Sequence, residues 1–377
     1  MADGASNLVE TGCFELVVCP ESGDLWSGPV PTVVGSGLTP LQEIRLEVSC
    51  EDGKGRLWKS SNSYLVSAEG RFGTTETASV GEDYYGISPE APLNSMHCMD
   101  GPGHDFCREL DALDYKFVCY DGGQRLWSAE LRRTLGRPPQ SCPKAWVEVV
   151  LFDDSDQAEA TQALAAYGIV AVEQDKPATE LPRYILGSGR ASARALEVAL
   201  RSQGIQAVIL FSGGGLRFDP LSFEGEELEY ASLDHSSLKP KAEGVLVTRT
   251  MYAEAVSDKA NRERGRIEVE KLACPVYLFS GADDQIWPAS AFSELVAQRR
   301  KMADADLVTV HRTFEGVGHD LGPSLGLPTL PTTERTVGHS ETGFRLLLGG
   351  KMGRQGRARR ECWDALLGIL AGRPPSA

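Results

Sequence analysis

The sequence predicts an all-β half followed by an α/β half, and three features of its patterning say so. LQEIRLEVSCE alternates Ile44, Leu46 and Val48 with Glu43, Arg45 and Glu47, the period of two that a half-buried antiparallel strand requires. LGRPPQSC, at Leu135–Cys142, carries paired prolines, which stop strand and helix alike. Beyond that break, short apolar strands alternate with helical patterns, the mark of a parallel sheet. These features place one domain at 1–137 and a second at 143–377.

In the first half, EDGKG (Glu51–Gly55) reads as the hairpin turn after the first long strand, and RLWKSSNSYLV as the strand that returns from it. A further pair, DYKFVCY and QRLWSAEL, is joined through Asp121, Gly122 and Gly123. Together these predict an Ig-like β-sandwich of about seven short strands. HCMDGPGHDFC brings His97, Cys98, His104 and Cys107 close in sequence. All four are zinc-ligand types, but their spacing matches no standard zinc signature, and Gly-Pro-Gly suits an ordinary surface loop. No metal is expected.

In the second half, AWVEVVLF (Ala145–Phe152) is a buried-type strand, Asp156–Tyr167 a helix closed by Gly168, and IVAVE the next strand. RYILGSGRASARALEVAL then runs from a strand through a turn of small residues into a helix, Ser192–Gln203, ended by Gly204. A strand, tight turn and helix of this kind form a nucleophile elbow, with Ser or Cys at the centre of G-x-S-x-G. Here Gly187 and Ala191 are the small flanks, so the central position is Gly189. A register one residue earlier would centre Ser188, but then bulky Leu186 and Arg190 occupy the crossing. AVILFSG and PVYLFSG follow as strands, each opening into a glycine-containing loop where such sheets place their chemistry. Only nine residues, QDKPATELP, join IVAVE to RYILGS, fewer than a crossover helix between neighbouring parallel strands needs. The α/β domain is therefore expected to be shortened, with an exposed apolar patch beside IVAVE that favours self-association.

The formal charge of −15 over 377 residues argues against nucleic acid or an anionic membrane as main partner, since both would be repelled. A local basic run, KMGRQGRARR at Lys351–Arg360, departs from that balance. It reads as a solvated helix start, with a phosphate-binding patch as the alternative. Nine scattered cysteines without a CxxC pair suit reduced thiols. The start, MADGASNLVETG, lacks the basic and apolar regions of a secretory signal. No apolar run approaches a membrane span, and GRPPSA is not a peroxisomal signal. A cytoplasmic protein is expected.

SGADDQIWPAS follows one buried strand and carries Asp283 and Asp284, while GVGHDLGP follows the strand VTVHRTF and carries His319. Downstream of an elbow, that is the Ser, Asp, His order of α/β-hydrolases, in which the acid orients the imidazole and the His acts as general base.

GADDQIWPAS, GVGHDLGP and the closing TTERTVGHSETGFRLLLGGKMGRQGRARRECWDALLGIL resemble the C-terminal domain of acyl-CoA thioesterases and bile acid-CoA:amino acid N-acyltransferase. AEGVLVTRTMYAEAV and IEVEKLACPVYLFSG resemble the same family's segment before the acid loop. LTPLQEIRLEVSCEDGKGRLWKSSNSYLVSAEGRF and SVGEDYYGISPEAPLNSM resemble its N-terminal β-sandwich. The resemblance implies attack on a fatty acyl-CoA thioester, with transfer to water or an amino acid and no cofactor. It puts the acid on Asp284, by the spacing D-x-x-W to Trp287, the base on His319, and the nucleophile on Gly189. Asp153 and Asp154 stand where the family has a glycine pair of its oxyanion region, and two carboxylates there would oppose a developing oxyanion. The expected catalytic set is thus Asp284 and His319, with Ser188 the nearest alternative nucleophile and Ser192 the next hydroxyl. The competing expectation is an inactive relative that keeps an acyl pocket or serves as a scaffold.

Overall fold

The alternation of Glu43–Glu51 settles the first long strand. Ile44, Leu46 and Val48 are fully buried and the end residues exposed. It pairs antiparallel with Leu57–Leu65 on one side and Ala112–Asp121 on the other. The computed structural model describes residues 14–19, 23–24, 30–101, 104, 106–107, 111–134, 148–152, 170–172, 182–223, 225–238, 240, 244–304, 306–322, 334–337 and 344–375.

The turn between the first two long strands is organised by Asp52, a buried carboxylate. Its Oδ1 accepts the amides of Lys54 at 2.9 Å and Arg56 at 3.0 Å. Its Oδ2 accepts Arg56 Nε at 2.8 Å, Trp58 Nε1 at 3.1 Å and the Cys107 amide at 3.3 Å. Gly55, at φ +72°, completes the turn. This corrects the plain-loop reading of HCMDGPGHDFC. His97–Cys98 is a short strand paired with Trp58–Lys59, and Cys107 is tied back to the hairpin.

Ala112–Asp121 and Gln124–Thr134 form the second expected hairpin. Among the described residues, seven N-terminal strands of four or more residues, with four two-residue ones, make a three-stranded and an eight-stranded antiparallel-rich pair of sheets. Leu16, Val18, Val33 and Phe72 from the smaller sheet join Ile44, Leu46, Tyr64, Tyr115 and Phe117 from the larger in one apolar cluster. This is the two-sheet core of a sandwich.

Among the described residues, the C-terminal half is built on six parallel strands: β1 Glu148–Phe152, β2 Val170–Val172, β3 Arg183–Ser188, β4 Ile205–Phe211, β5 Val276–Gly281 and β6 Thr309–Phe314. Their spatial order is β2-β1-β3-β4-β5-β6, and every pairing is parallel. β2 and β3 are therefore not adjacent but flank β1. The linker Leu135–Cys142, the helix Asp156–Tyr167, the segment QDKPATELP, the Asp153–Asp154 pair and the side chains beside IVAVE lie outside the described residues.

β4 and β5 are continuous apolar runs because both faces of the sheet are covered. Val208, Leu210, Val276 and Leu278 face the helix α1, Ser192–Arg201, through Ala195, Leu196 and Ala199, and meet Val296 of α2, Ala289–Ala303. Ile209, Phe211, Tyr277 and Phe279 face the other way, toward Trp363 and Leu366 of α3, Met352–Leu370. The second cluster is continuous with the sandwich core, so the two halves share apolar packing through α3. Gly356 of α3 lies so close to Asn94 that a Cβ there would stand 2.3 Å from its Cγ.

The Asp52 cluster makes a pH-dependent prediction. Burial alone would raise its carboxyl, but the hydrogen bonds from Arg56, Trp58 and Lys54 outweigh it and hold the pKa at about 2. A depressed pKa stabilises the fold above the unfolded value of about 4, and that contribution is lost as the pH falls through about 2. Asp52→Asn should lower stability by about 2 kcal/mol at neutral pH. In urea unfolding at a series of pH values, the gap to wild type should close across that acid window.

Candidate active site

The carboxyl ends of β3, β4, β5 and β6 open on one edge of the sheet, the edge where α/β folds hold ligands. At the end of β3, Ser188 is still extended, at φ −124° and ψ 141°. The chain then turns at Gly189, at φ +53°, through a short 3-10 turn into α1. That left-handed conformation is open to glycine without strain. Gly187 allows α1 to cross: a Cβ there would lie 2.8 Å from the Cβ of Ala195 and 2.9 Å from the Cα of Ser192. Ser188 is a half-buried strand residue. Ser192 is fully buried behind the turn, its Oγ without a hydrogen-bond partner.

Asp284 follows β5 and is completely buried. Its Oδ1 accepts the amides of Ile286 at 2.8 Å and Trp287 at 3.2 Å, a local turn that Asp forms readily. Its Oδ2 lies 2.7 Å from His319 Nδ1. Asp283, exposed, instead uses its backbone, donating its amide to the Val317 carbonyl at 2.9 Å. The D-x-x-W spacing thus has a physical content. The amide of Trp287 helps hold the acid, its indole Nε1 donates to the Ser212 carbonyl at 2.8 Å, and its ring meets the imidazole edge-on at 6.1 Å.

The base loop is held from several sides. The amide of His319 donates to the Leu348 carbonyl at 2.9 Å, and the same oxygen accepts Gln285 N at 3.2 Å. Gly349 bridges to Asp284 and Gly350 to Val317. Gln355 of α3 accepts the Gly318 amide at 2.7 Å and donates to the Asp320 carbonyl, and Arg359 pairs with the Asp320 carboxylate at 3.0 Å. Ser212, at the end of β4, has φ +48° and donates its hydroxyl to the His319 carbonyl. Arg249 donates to the Asp284 carbonyl.

The sequence pointed to Asp284 and His319, which the structure brings into contact, but not to Ser212, Arg249, Leu348–Gly350 and Gln355. Among these, only the paired glycines after the apolar FRLLL at 344–348 offered a signal, as a turn. The others act through side-chain or carbonyl contacts that periodicity does not report.

With Nδ1–H donated to Asp284, Nε2 is the imidazole atom able to accept a proton. The turn itself supplies no side chain at Gly189. Among the described residues, no group of three His, Cys, Asp or Glu is placed to hold a metal ion, and no helix is long and apolar enough to cross a membrane.

A family model described as BAAT / Acyl-CoA thioester hydrolase C terminal matches residues 174–371. A second, for the acyl-CoA thioester hydrolase/BAAT N-terminal region, matches residues 31–138. The chain is 21% identical to human acyl-coenzyme A thioesterase 1 in an alignment covering 93% of this chain and 94% of that protein. It is 21% identical to human mitochondrial acyl-coenzyme A thioesterase 2, covering 93% and 82%. Among solved structures it resembles a Mycobacterium tuberculosis puromycin-hydrolyzing peptidase, with 14% identity, coverage of 94% of this chain and 67% of that one, and a TM-score of 0.37.

The crossing of the base loop over Leu348–Gly350 can be tested directly. A Cβ at Gly318 would lie 2.2 Å from the Gly349 carbonyl oxygen, and backbone cannot move aside as a side-chain tip can. Gly318→Ala should destabilise the protein by about 1–3 kcal/mol, the range for overpacking. The low-field Nδ1–H resonance of His319 in proton NMR should disappear or broaden as the acid and base separate.

Proposed function

This chain belongs to the BAAT/acyl-CoA thioester hydrolase family, and on that premise we propose that it engages fatty acyl-CoA thioesters on a frame that has lost its covalent step. The observation that carries this reading is Gly189, at φ +53° at the turn between β3 and α1, the position onto which the family's nucleophile falls. In this reading Asp284 orients the imidazole and His319 is the general base, the 2.7 Å contact between them supporting both roles. The amide of Arg190, directly after the turn, is the candidate oxyanion donor. Without a hydroxyl at the elbow, no acyl-enzyme forms there, and turnover falls to what binding and a His-activated water supply. With a triad member removed, binding and oxyanion stabilisation alone leave about 10³- to 10⁴-fold over water, negligible beside the roughly 10⁶-fold or more of a complete enzyme.

Ser188, Ser192 and Ser212 do not favour a substitute nucleophile. Ser188 belongs to the strand, Ser192 is sealed behind the turn, and the Ser212 hydroxyl is engaged with the His319 carbonyl. Glycine also relieves a conformation that costs a non-glycine residue about 1–3 kcal/mol. Loss of the nucleophile therefore stabilises the fold while disabling the chemistry.

Thioester hydrolysis should be negligible in wild type, rise in Gly189→Ser, and fall again in Gly189→Ser with His319→Ala. In the rescued variant the new hydroxyl gives its proton to His319 Nε2 as its oxygen bonds the thioester carbon, and the departing CoA sulfur takes that proton. Gly189→Ser alone should accumulate the acyl mass on intact protein and should be less stable by about 1–3 kcal/mol. Robust wild-type turnover that survives Ser188→Ala, Ser192→Ala and Ser212→Ala would sink this reading, as would a gain in Gly189→Ser that ignores His319.

A further inference from the structure

A cleft of about 880 Å³ opens between the two halves of the molecule. One wall is the N-terminal segment Asp83–Ser88. The other is the chain leaving β6, with Val317 two residues before His319, together with the start of α3. The acid–base contact does not use this cleft.

Its chemistry is of three kinds. Lys351, Arg354 and Arg357 line it, a local concentration of cations in a chain of formal charge −15. Arg357 is paired with Glu361 at 3.0 Å. Lys351 and Arg354 are exposed and form no ion pair among the described residues, Arg354 reaching only the Glu315 carbonyl at 3.4 Å. Beside them, α3 begins after Lys351 without a side-chain cap. Its first intrahelical hydrogen bond is Gln355 N to Lys351 O, which leaves the amides of the first turn to an outside acceptor. Opposite stands Tyr85, 79% exposed, the hydroxyl end of its ring close to Gly81. Finally, Asp83 and Glu315 supply carboxylate acceptors, and Ser88 Oγ is enclosed without a hydrogen-bond partner.

Free cations with open helix amides suit phosphate oxygens. An exposed aromatic face suits a stacked base. Carboxylates and a hydroxyl suit amino and ribose hydroxyl donors. A fatty chain alone would meet none of these, and a simple anion would use the cations but leave the aromatic face, the carboxylates and the hydroxyl unused.

We propose that this cleft holds an adenosine phosphate group, with Lys351, Arg354 and the start of α3 on the phosphates and Tyr85 on the base. The assignment rests on the acyl-CoA reading above insofar as the group is the nucleotide end of CoA. The thioester would then lie toward His319, on the far side of Val317. A free adenosine phosphate has the same chemistry, and the experiment separates the two sources.

Isothermal titration calorimetry would be run with CoA, adenosine 3′,5′-bisphosphate and an S-acyl pantetheine on wild type, Lys351→Glu with Arg354→Glu, and Tyr85→Ala. All three altered side chains are exposed, and thermal melts would verify folding. CoA and the bisphosphate should bind wild type, more weakly as salt rises. Both should bind about tenfold or more weakly to the double charge reversal and several-fold more weakly to Tyr85→Ala, while the acyl pantetheine should not distinguish the proteins. Bisphosphate binding that responds to these variants, without any CoA binding, would keep the cleft assignment and overturn the acyl-CoA reading. CoA binding unchanged by all the substitutions would overturn the cleft assignment and leave the acyl-CoA reading standing. Absence of binding by both nucleotides to folded wild type would also overturn it.

Discussion

The Asp284–His319 contact depends on a backbone crossing that only glycine permits. The base loop passes over Leu348–Gly350 at Gly318, where even a methyl group would overlap the Gly349 carbonyl. Because of that closeness, one carbonyl, that of Leu348, can accept from both the base loop and the acid loop. The two side chains are brought within 2.7 Å by main chain, not by flexible side chains searching for each other. Geometry fixed in that way costs little ordering entropy when a ligand arrives, because the order is already present in the fold.

α3 carries this local arrangement into the rest of the molecule. Its buried face, from Ala358 through Trp363 and Leu366 to Leu370, packs in a core shared by the parallel sheet and the N-terminal sandwich. The same helix presents Gln355 and Arg359 to the residues on either side of His319. A shift of the sandwich against the sheet would therefore be felt at the imidazole, since close-packed interiors transmit strain. Gly356, next to Gln355 on this helix, also approaches Asn94 closely enough to leave no room for a side chain.

The turn after β3 is built differently: Gly187 allows α1 to cross β3, and the chain turns at a positive φ at Gly189, which carries no side chain. The supports of Asp284 and His319 are also supports of the fold, running through Trp287, Ser212 and Leu348. The contact between these two side chains is thus held by the same interactions that hold the fold, whereas the turn at Gly189 is open to glycine without strain.

Sequence alone determined what local pattern controls. The period of two in Glu43–Glu51, the apolar runs of β4 and β5, and the small residues around Gly189 each follow from which faces are buried and which turns need glycine. That Asp284, rather than Asp283, meets His319 was legible in its spacing to Trp287, whose amide helps hold that carboxylate. Tertiary structure decided the rest. It put β2 and β3 on opposite sides of β1, turned His97–Cys98 from loop into strand, and made the basic start of α3 part packed brace and part cleft wall. Those outcomes turn on contacts between residues tens to hundreds of positions apart, such as Ser212 with His319 and Asn94 with Gly356. Hydrophobic periodicity records which face of an element is buried, but not which distant element buries it.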